Sequence, residues 1–213
     1  MIDISKARPI GSTEKYPNDW MSIPELEWIA EQSSTHKRIV EVGSWKGRST
    51  RAMADNTSGV VYAVDSWSPD PNDFPHGGFL GHGDNYGRVD INLIYEEFKA
   101  NLRDHIQTNK VRPMRMTSMA AVSLFQDLDT KFDMVFIDAM HDYDYVREDI
   151  IEWSKLLVPG GLLCGHDYSD AGDKCHCPGV KRAVDELVPG FQIVPGVCEG
   201  VSYDTCRIWW KVL

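Results

Sequence analysis

Strand patterns and helix patterns take turns along most of this chain, and that alternation limits its folds more than any other feature. Arg38-Ile39-Val40-Glu41-Val42 is a short, largely β-branched run, followed by the turn Gly43-Ser44-Trp45-Lys46-Gly47 and a helical pattern over Ser49 to Ala54. Gly59 to Asp65, Val111 to Met116, Phe132 to Asp138, Leu162 to Gly165, Gln192 to Pro195 and Thr205 to Val212 read as further strands. Ile91 to Leu102, Ser118 to Leu128, Tyr143 to Leu157 and Val180 to Leu187 carry helical spacing. Met134-Val135-Phe136-Ile137 is apolar at every position, the mark of a strand covered on both faces, so an α/β fold with a mainly parallel sheet is predicted. The last two strands leave no room for a helix between them and should form an antiparallel hairpin at one edge.

At 213 residues the chain is one domain with trimmings. Residues 1–21 lack periodicity and contain Pro9, Gly11 and Pro17, so they read as an arm over the surface or over a partner subunit, a possible route to a homo-oligomer. Ser22-Ile23-Pro24-Glu25 is a capping box that opens a helix and the main domain, residues 22–213. Residues 66–91, rich in Gly, Pro, Asn, Asp and His, are longer than an ordinary connection and read as a lid or insertion loop. The net charge of −10 is the opposite of what a nucleic-acid or anionic membrane partner would select. No apolar run approaches the ~20 residues needed to cross a bilayer, and the first residues lack an apolar signal core, so a cytoplasmic location is expected. Five cysteines, an odd number, suit reduced thiols better than a disulfide framework.

In an open parallel sheet, ligands gather at the carboxyl ends of the strands. Five such ends carry chemically useful groups here: Glu41-Val42-Gly43, Asp65, Thr117-Ser118, Asp138 with His141, and His166-Asp167. The turn Glu41-x-Gly43-x-x-x-Gly47 lets a ligand approach the backbone closely and aims a helix N-terminus at it. Its spacing differs from the Gly-x-Gly-x-x-Gly of nicotinamide sites, and Asp65 can accept from both hydroxyls of a ribose. Cys175-His176-Cys177, taken with Cys164, lacks the spacing of a structural zinc site; these read as loop thiols near a substrate mouth.

These segments, with the strand Phe132 to Asp138 and Leu157-Val158-Pro159-Gly160-Gly161, resemble the class I S-adenosylmethionine-dependent methyltransferases. Val40 to Thr50, Ile137 to Tyr143 and Gly165-His166-Asp167-Tyr168 are similar to the small-molecule O-methyltransferases that act on sugars in macrolide and aminocoumarin pathways. The resemblance implies a Rossmann-like three-layer sandwich with a seven-stranded sheet whose last strand is antiparallel. It also implies that Glu41, Gly43, Ser44 and Gly47 line the methionine part of S-adenosylmethionine, that Asp65 holds the ribose, and that Ser118 and Met119 flank the adenine. Asp138, His166 and Asp167 fall where those enzymes bind a divalent cation, magnesium or manganese, usually through three carboxylates; the histidine is this chain's departure. Asp138 also adjoins the cofactor and the reacting centre, and His141 stands where related enzymes place a general base.

The reading is a methyltransferase that moves a methyl group from S-adenosylmethionine to a hydroxyl of a small, polyhydroxylated or glycosylated acceptor, assisted by a divalent cation. His141, beside a cation and a sulfonium, is expected to be neutral. Rival readings are a metal-independent N- or C-methyltransferase, a non-catalytic cofactor-binding module and, least favoured by the glycine spacing, a nicotinamide dehydrogenase.

Overall fold

The computed structural model describes residues 1–12, 21–68, 91–170, 177–194 and 206–213. The alternating patterns become alternating elements: helix α1 (Ile23–Thr35), strand β1 (Arg38–Val42), α2 (Arg48–Asn56), β2 (Val60–Asp65), α3 (Ile91–Asn101), α4 (Arg103–Gln107), β3 (Val111–Arg115) and α5 (Ser118–Asp127). There follow β4 (Phe132–Ile137), α6 (Tyr143–Ser154), β5 (Leu157–Tyr168), α7 (Pro178–Leu187), β6 (Gln192–Ile193) and β7 (Arg207–Val212). The strands form one seven-stranded sheet in the order β3-β2-β1-β4-β5-β7-β6. β1 to β5 pair in parallel, while β7 runs antiparallel to both β5 and β6. The last strand is therefore reversed, as the family resemblance implied.

Because side chains alternate along a strand, each strand feeds two cores. Ile39, Met134, Phe136 and Ile208 join α1, α2 and α3 on one face; Val40, Val135, Ile137 and Trp209 join α5, α6 and α7 on the other. With both faces covered, the polar ends of the strands are left for the carboxyl edge, where β1 and β4 lie side by side and their neighbours β2 and β5 flank them.

One local reading changes. Leu157 belongs to β5 and not to the preceding helix, which stops at Ser154. The Val158-Pro159-Gly160-Gly161 stretch is absorbed by a register shift opposite Phe132 and Met134, and held by the other end of the chain: Gly160 donates its amide to the Leu213 carbonyl and Leu213 donates to that of Gly161. Residues 1–12 lie on their own chain, with Ala7 and Ile10 buried and Asp3 exchanging hydrogen bonds with Asn56 at the end of α2. The expected lid over 66–91 lies outside the described residues except for 66–68 and Ile91, as do Cys175, His176 and Cys198. Among the described residues no helix is long and apolar enough to cross a membrane.

Candidate active site

The turn after β1 is built around close backbone approach. Gly43 has φ +92°, and a Cβ there would overlap the Asp138 carbonyl, so the ends of β1 and β4 touch only because this residue lacks a side chain. Gly47, also at positive φ, precedes α2, whose first turn is braced from below by Glu41. The Glu41 carboxylate is wholly buried and accepts from the Ser49 and Thr50 hydroxyls; burial pushes its pKa up against those bonds. Glu41 thus braces the turn from underneath, with its side chain wholly buried rather than open to a ligand, and Ser44 is buried beside it.

Asp65, at the end of β2, ties the turn to the chain leaving β2. Its carboxylate accepts from the Trp45 and Trp67 amides, both at 2.9 Å. Trp45 and Trp67 have φ of 46° and 38°, left-handed values unusual for aromatic residues, and the Trp67 indole donates to the Trp45 carbonyl at 2.9 Å. Burial raises the Asp65 pKa, with the amide bonds opposing. A carboxylate offers about four acceptor positions, and the Trp67, Trp45 and Ser44 amides take three of them, so one position is left for a ribose hydroxyl.

Beyond β3, Thr117 caps α5 and places Ser118 and Met119 at its first turn, both half-buried. The Ser118 hydroxyl donates to Asp149 on α6 and accepts from the Trp153 indole at 2.8 Å. This side chain faces inward, so the segment can meet an adenine only through its backbone or through Met119.

The ends of β4 and β5 bring four predicted residues together. His166 Nδ1 lies 3.3 Å from Asp167 Oδ1 and 3.8 Å from Asp138 Oδ1, and His141 Nε2 lies 2.8 Å from Asp167 Oδ2. Asp138, His166 and Asp167 each bring a donor atom within 4.8 Å of the other two, a spacing a single cation could bridge. Asp167 has φ 63°, a strained value that aims its carboxylate between two imidazoles. The group helps to line a cavity of about 10 Å³, room for roughly one water. Its lining mixes the polar Asp138, His141, His166 and Asp167 with apolar residues such as Ile137, Val180 and Trp209.

The charges are mutually dependent. Burial raises the Asp138 pKa to about 7; His166 opposes the rise and Asp167 adds to it. Burial would also raise Asp167, but His141 and then His166 pull it well below the carboxylate range. For His141, burial favours the neutral ring, yet Asp167 and Asp138 outweigh it and lift the pKa to about 9. In the protein alone the two carboxylates facing the ring favour its protonated form; the expected neutral form rests on the two positive charges of a cation and a sulfonium.

Sequence reasoning missed Glu25 and Cys177. Glu25 does accept from the Ser22 amide, as the capping box requires, and from the Ser22 hydroxyl besides, but it is 1% exposed and its other oxygen lies 3.3 Å from His166 Nε2. That oxygen also accepts from the Ile208 amide at 3.2 Å. A carboxylate behind a histidine whose other nitrogen faces the acidic group is the arrangement that orients metal-binding imidazoles, which makes the departure from three carboxylates workable. No signal along the chain joins Glu25 to its partners. Cys177, read as a loop thiol, caps α7 with its sulfur 3.2 Å from His141 Nδ1.

A strand-end acidic residue beside a tight first turn, a reversed seventh strand and a polar group at the β4 and β5 ends define a class I S-adenosylmethionine-dependent methyltransferase. Residues 40–168, more than half of the chain, match the family model described as "Methyltransferase domain", and the chain belongs to that family. Among solved structures it is similar to the O-methyltransferase of Bacillus cereus in complex with SAH, at 15% identity and TM-score 0.65 over 91% of this chain and 82% of that one. It is also similar to the O-methyltransferase TomG of Streptomyces achromogenes, involved in tomaymycin synthesis and solved with SAM, at 18% identity and TM-score 0.62 over 100% and 92%. A third is the N-methyltransferase NodS of Bradyrhizobium japonicum WM9, at 16% identity and TM-score 0.54 over 87% and 90%. At these identities the likeness is one of fold, which oxygen and nitrogen methyltransferases share. No curated protein matches the chain in sequence.

Proposed function

We propose that the enzyme methylates a hydroxyl oxygen of a small, polyhydroxylated or glycosylated acceptor, with a divalent cation, magnesium or manganese, held by Asp138, His166 and Asp167. The observation that carries this reading is the placement of that group against Gly43: the turn expected to hold the methionine end of the cofactor touches the backbone of Asp138. When bound, S-adenosylmethionine supplies an electrophilic methyl carbon and the cation polarises the acceptor hydroxyl, and both positive charges favour the neutral form of His141. The chain's own part is positional. Gly43, Ser44 and Gly47 shape the turn, Asp65 receives the ribose, and Ser118 and Met119 flank the adenine. Asp167 orients the His141 ring, which takes the hydroxyl proton as the oxygen attacks the methyl carbon.

The net charge of −10 favours a neutral or cationic acceptor over a phosphorylated one. The oxygen methyltransferases among the similar folds support the choice of nucleophile without carrying it. The test is methyl transfer to a panel of hydroxylated and aminated small molecules, with and without a chelator. Metal-dependent turnover on hydroxyls alone is expected, abolished in Asp138→Ala and Asp167→Ala. His141→Ala should lower kcat by about 10²–10⁴ with cofactor affinity nearly unchanged. Full activity in excess chelator, or turnover confined to amines, overturns the reading.

A further inference from the structure

Cys177 has no place in the methyl-transfer reading, yet its position is tightly specified. α7 starts directly against the loop that follows β4: a Cβ on Gly179 would overlap the His141 carbonyl and the Tyr143 amide. This contact sets the Cys177 sulfur, 4% exposed, at 3.2 Å from His141 Nδ1. The other ring nitrogen is 2.8 Å from Asp167 Oδ2. One donor atom each from His141, Asp167 and Cys177 lies within 4.8 Å of the other two. The three are a nitrogen, an oxygen and a sulfur donor brought from three separate segments, the loop after β4, the end of β5 and the cap of α7.

We propose that His141, Asp167 and Cys177 form a binding site for a borderline divalent cation of the zinc class, distinct in donor set from the Asp138–His166–Asp167 group and sharing Asp167 with it. Donor chemistry separates the two sets. Carboxylate and water ligands suit magnesium and manganese, whereas a thiolate joined to an imidazole selects zinc and its stand-in cobalt. Zinc–sulfur and zinc–nitrogen bonds of about 2.3 and 2.0–2.1 Å in a tetrahedron place their ends about 3.6 Å apart. The 3.2 Å between Cys177 and His141 Nδ1 needs only a small outward adjustment, while Asp167, now against Nε2, has to turn from that nitrogen to join an ion held at Nδ1, since one imidazole gives one ion a single nitrogen. Three protein donors leave a fourth position open to water, as in catalytic and inhibitory sites and unlike closed structural ones. On loading, the Cys177 thiol and the His141 ring give up the protons that stand in the way of the metal, and these pass to solvent. An ion bound here takes the ring nitrogen that a base at His141 would need, so the zinc site and the methyl-transfer role of His141 exclude one another.

The experiment uses the full chain, freed of metal by chelation and titrated with Co²⁺ in the absence of cofactor and acceptor. The expected result is a thiolate-to-cobalt charge-transfer band in the near ultraviolet, saturating at one equivalent and abolished by zinc but not by a large excess of magnesium. Cys177→Ser should lose the band and bind zinc at least about tenfold more weakly, with its circular dichroism unchanged. Cys164→Ser and Cys206→Ser should keep the band, as should Asp138→Asn, which impairs methyl transfer if the oxygen-donor reading is right. The absence of a band in the unmodified protein, its survival in Cys177→Ser, or its displacement by magnesium overturns the proposal and leaves a thiol–imidazole hydrogen bond. A chelator-insensitive methyl transfer, by contrast, overturns only the oxygen-donor reading.

Discussion

Asp149→Asn should make the enzyme more stable at alkaline pH. Asp149 sits on α6 at 4% exposure, where its carboxylate accepts from the Ser118 hydroxyl and has no cationic partner among its contacts. Burial raises its pKa from 3.8 to about 7, with the Ser118 bond opposing and the Glu148 charge adding. The folded value lies above the unfolded one, so this group's stabilisation is complete below about pH 4 and is lost as the pH rises through about 7. A shift of about three units at 1.36 kcal/mol each sets an upper bound of about 4 kcal/mol on that loss. Asparagine keeps the acceptor for Ser118 but buries an amide group in need of a partner, a cost of about 1–3 kcal/mol. The net gain at pH 8.5 is then about 1–3 kcal/mol, or a rise in Tm of roughly 2–10 °C for a chain of this size. At pH 5 the order should reverse, because the protonated carboxyl of the native protein carries no charge to desolvate. Thermal unfolding of both proteins between pH 5 and 9 reads this as two curves that cross. Parallel curves would refute the reasoning and show that Asp149 is ionised and stabilised throughout.

Asp65→Ala should weaken S-adenosylmethionine binding by about 10–100-fold in calorimetry, the loss of roughly 1.5–3 kcal/mol of charge-assisted bonding, and unchanged affinity would remove Asp65 from the cofactor site. Gly43→Ala combines positive φ with overlap on the Asp138 carbonyl and should cost roughly 3 kcal/mol or more, seen as a fall in Tm of about 6 °C or more. Glu25→Ala should lower stability in urea by about 3–5 kcal/mol, because it strands His166 in the interior; Glu25→Gln, which can still accept from Ser22 and Ile208, should lose less, and equal losses would mean that the ring does not need the carboxylate.

Much of this architecture was legible because it is local. Ile39-Val40 and the apolar run Met134 to Ile137 announce buried parallel strands, and each strand end carries its own polar residue, so Asp65, Asp138 and His166-Asp167 could be picked out one by one. Their assembly follows from the fold class, since parallel strands deliver their carboxyl ends to the same edge. What the chain did not disclose depends on contacts between remote segments. Leu157 looks helical until Leu213 is seen to pair across Gly160 and Gly161. Glu25 looks like a cap and nothing more, since its link to His166 exists only after α1 packs on the sheet. The charge of His141 in the protein alone was hidden for a related reason: burial opposes and two carboxylates raise its pKa, and their geometry is not written in the ring's neighbours along the chain.

Glu25 also fixes when the site can come into being during synthesis. Its carboxylate holds the Ile208 amide across 183 residues of sequence and faces His166 from the same oxygen. β7, Arg207–Val212, is the last strand to be made and follows every other residue of the site in sequence. A chain still emerging from the ribosome already contains Asp65, Asp138, His141 and Asp167, but not the strand against which Glu25 is anchored. Closing so long a loop is among the later events of folding. The enzyme therefore acquires a correctly oriented His166 only once α1 and β7 have met, and a chain that has not yet made β7 carries the ingredients of the site without the site.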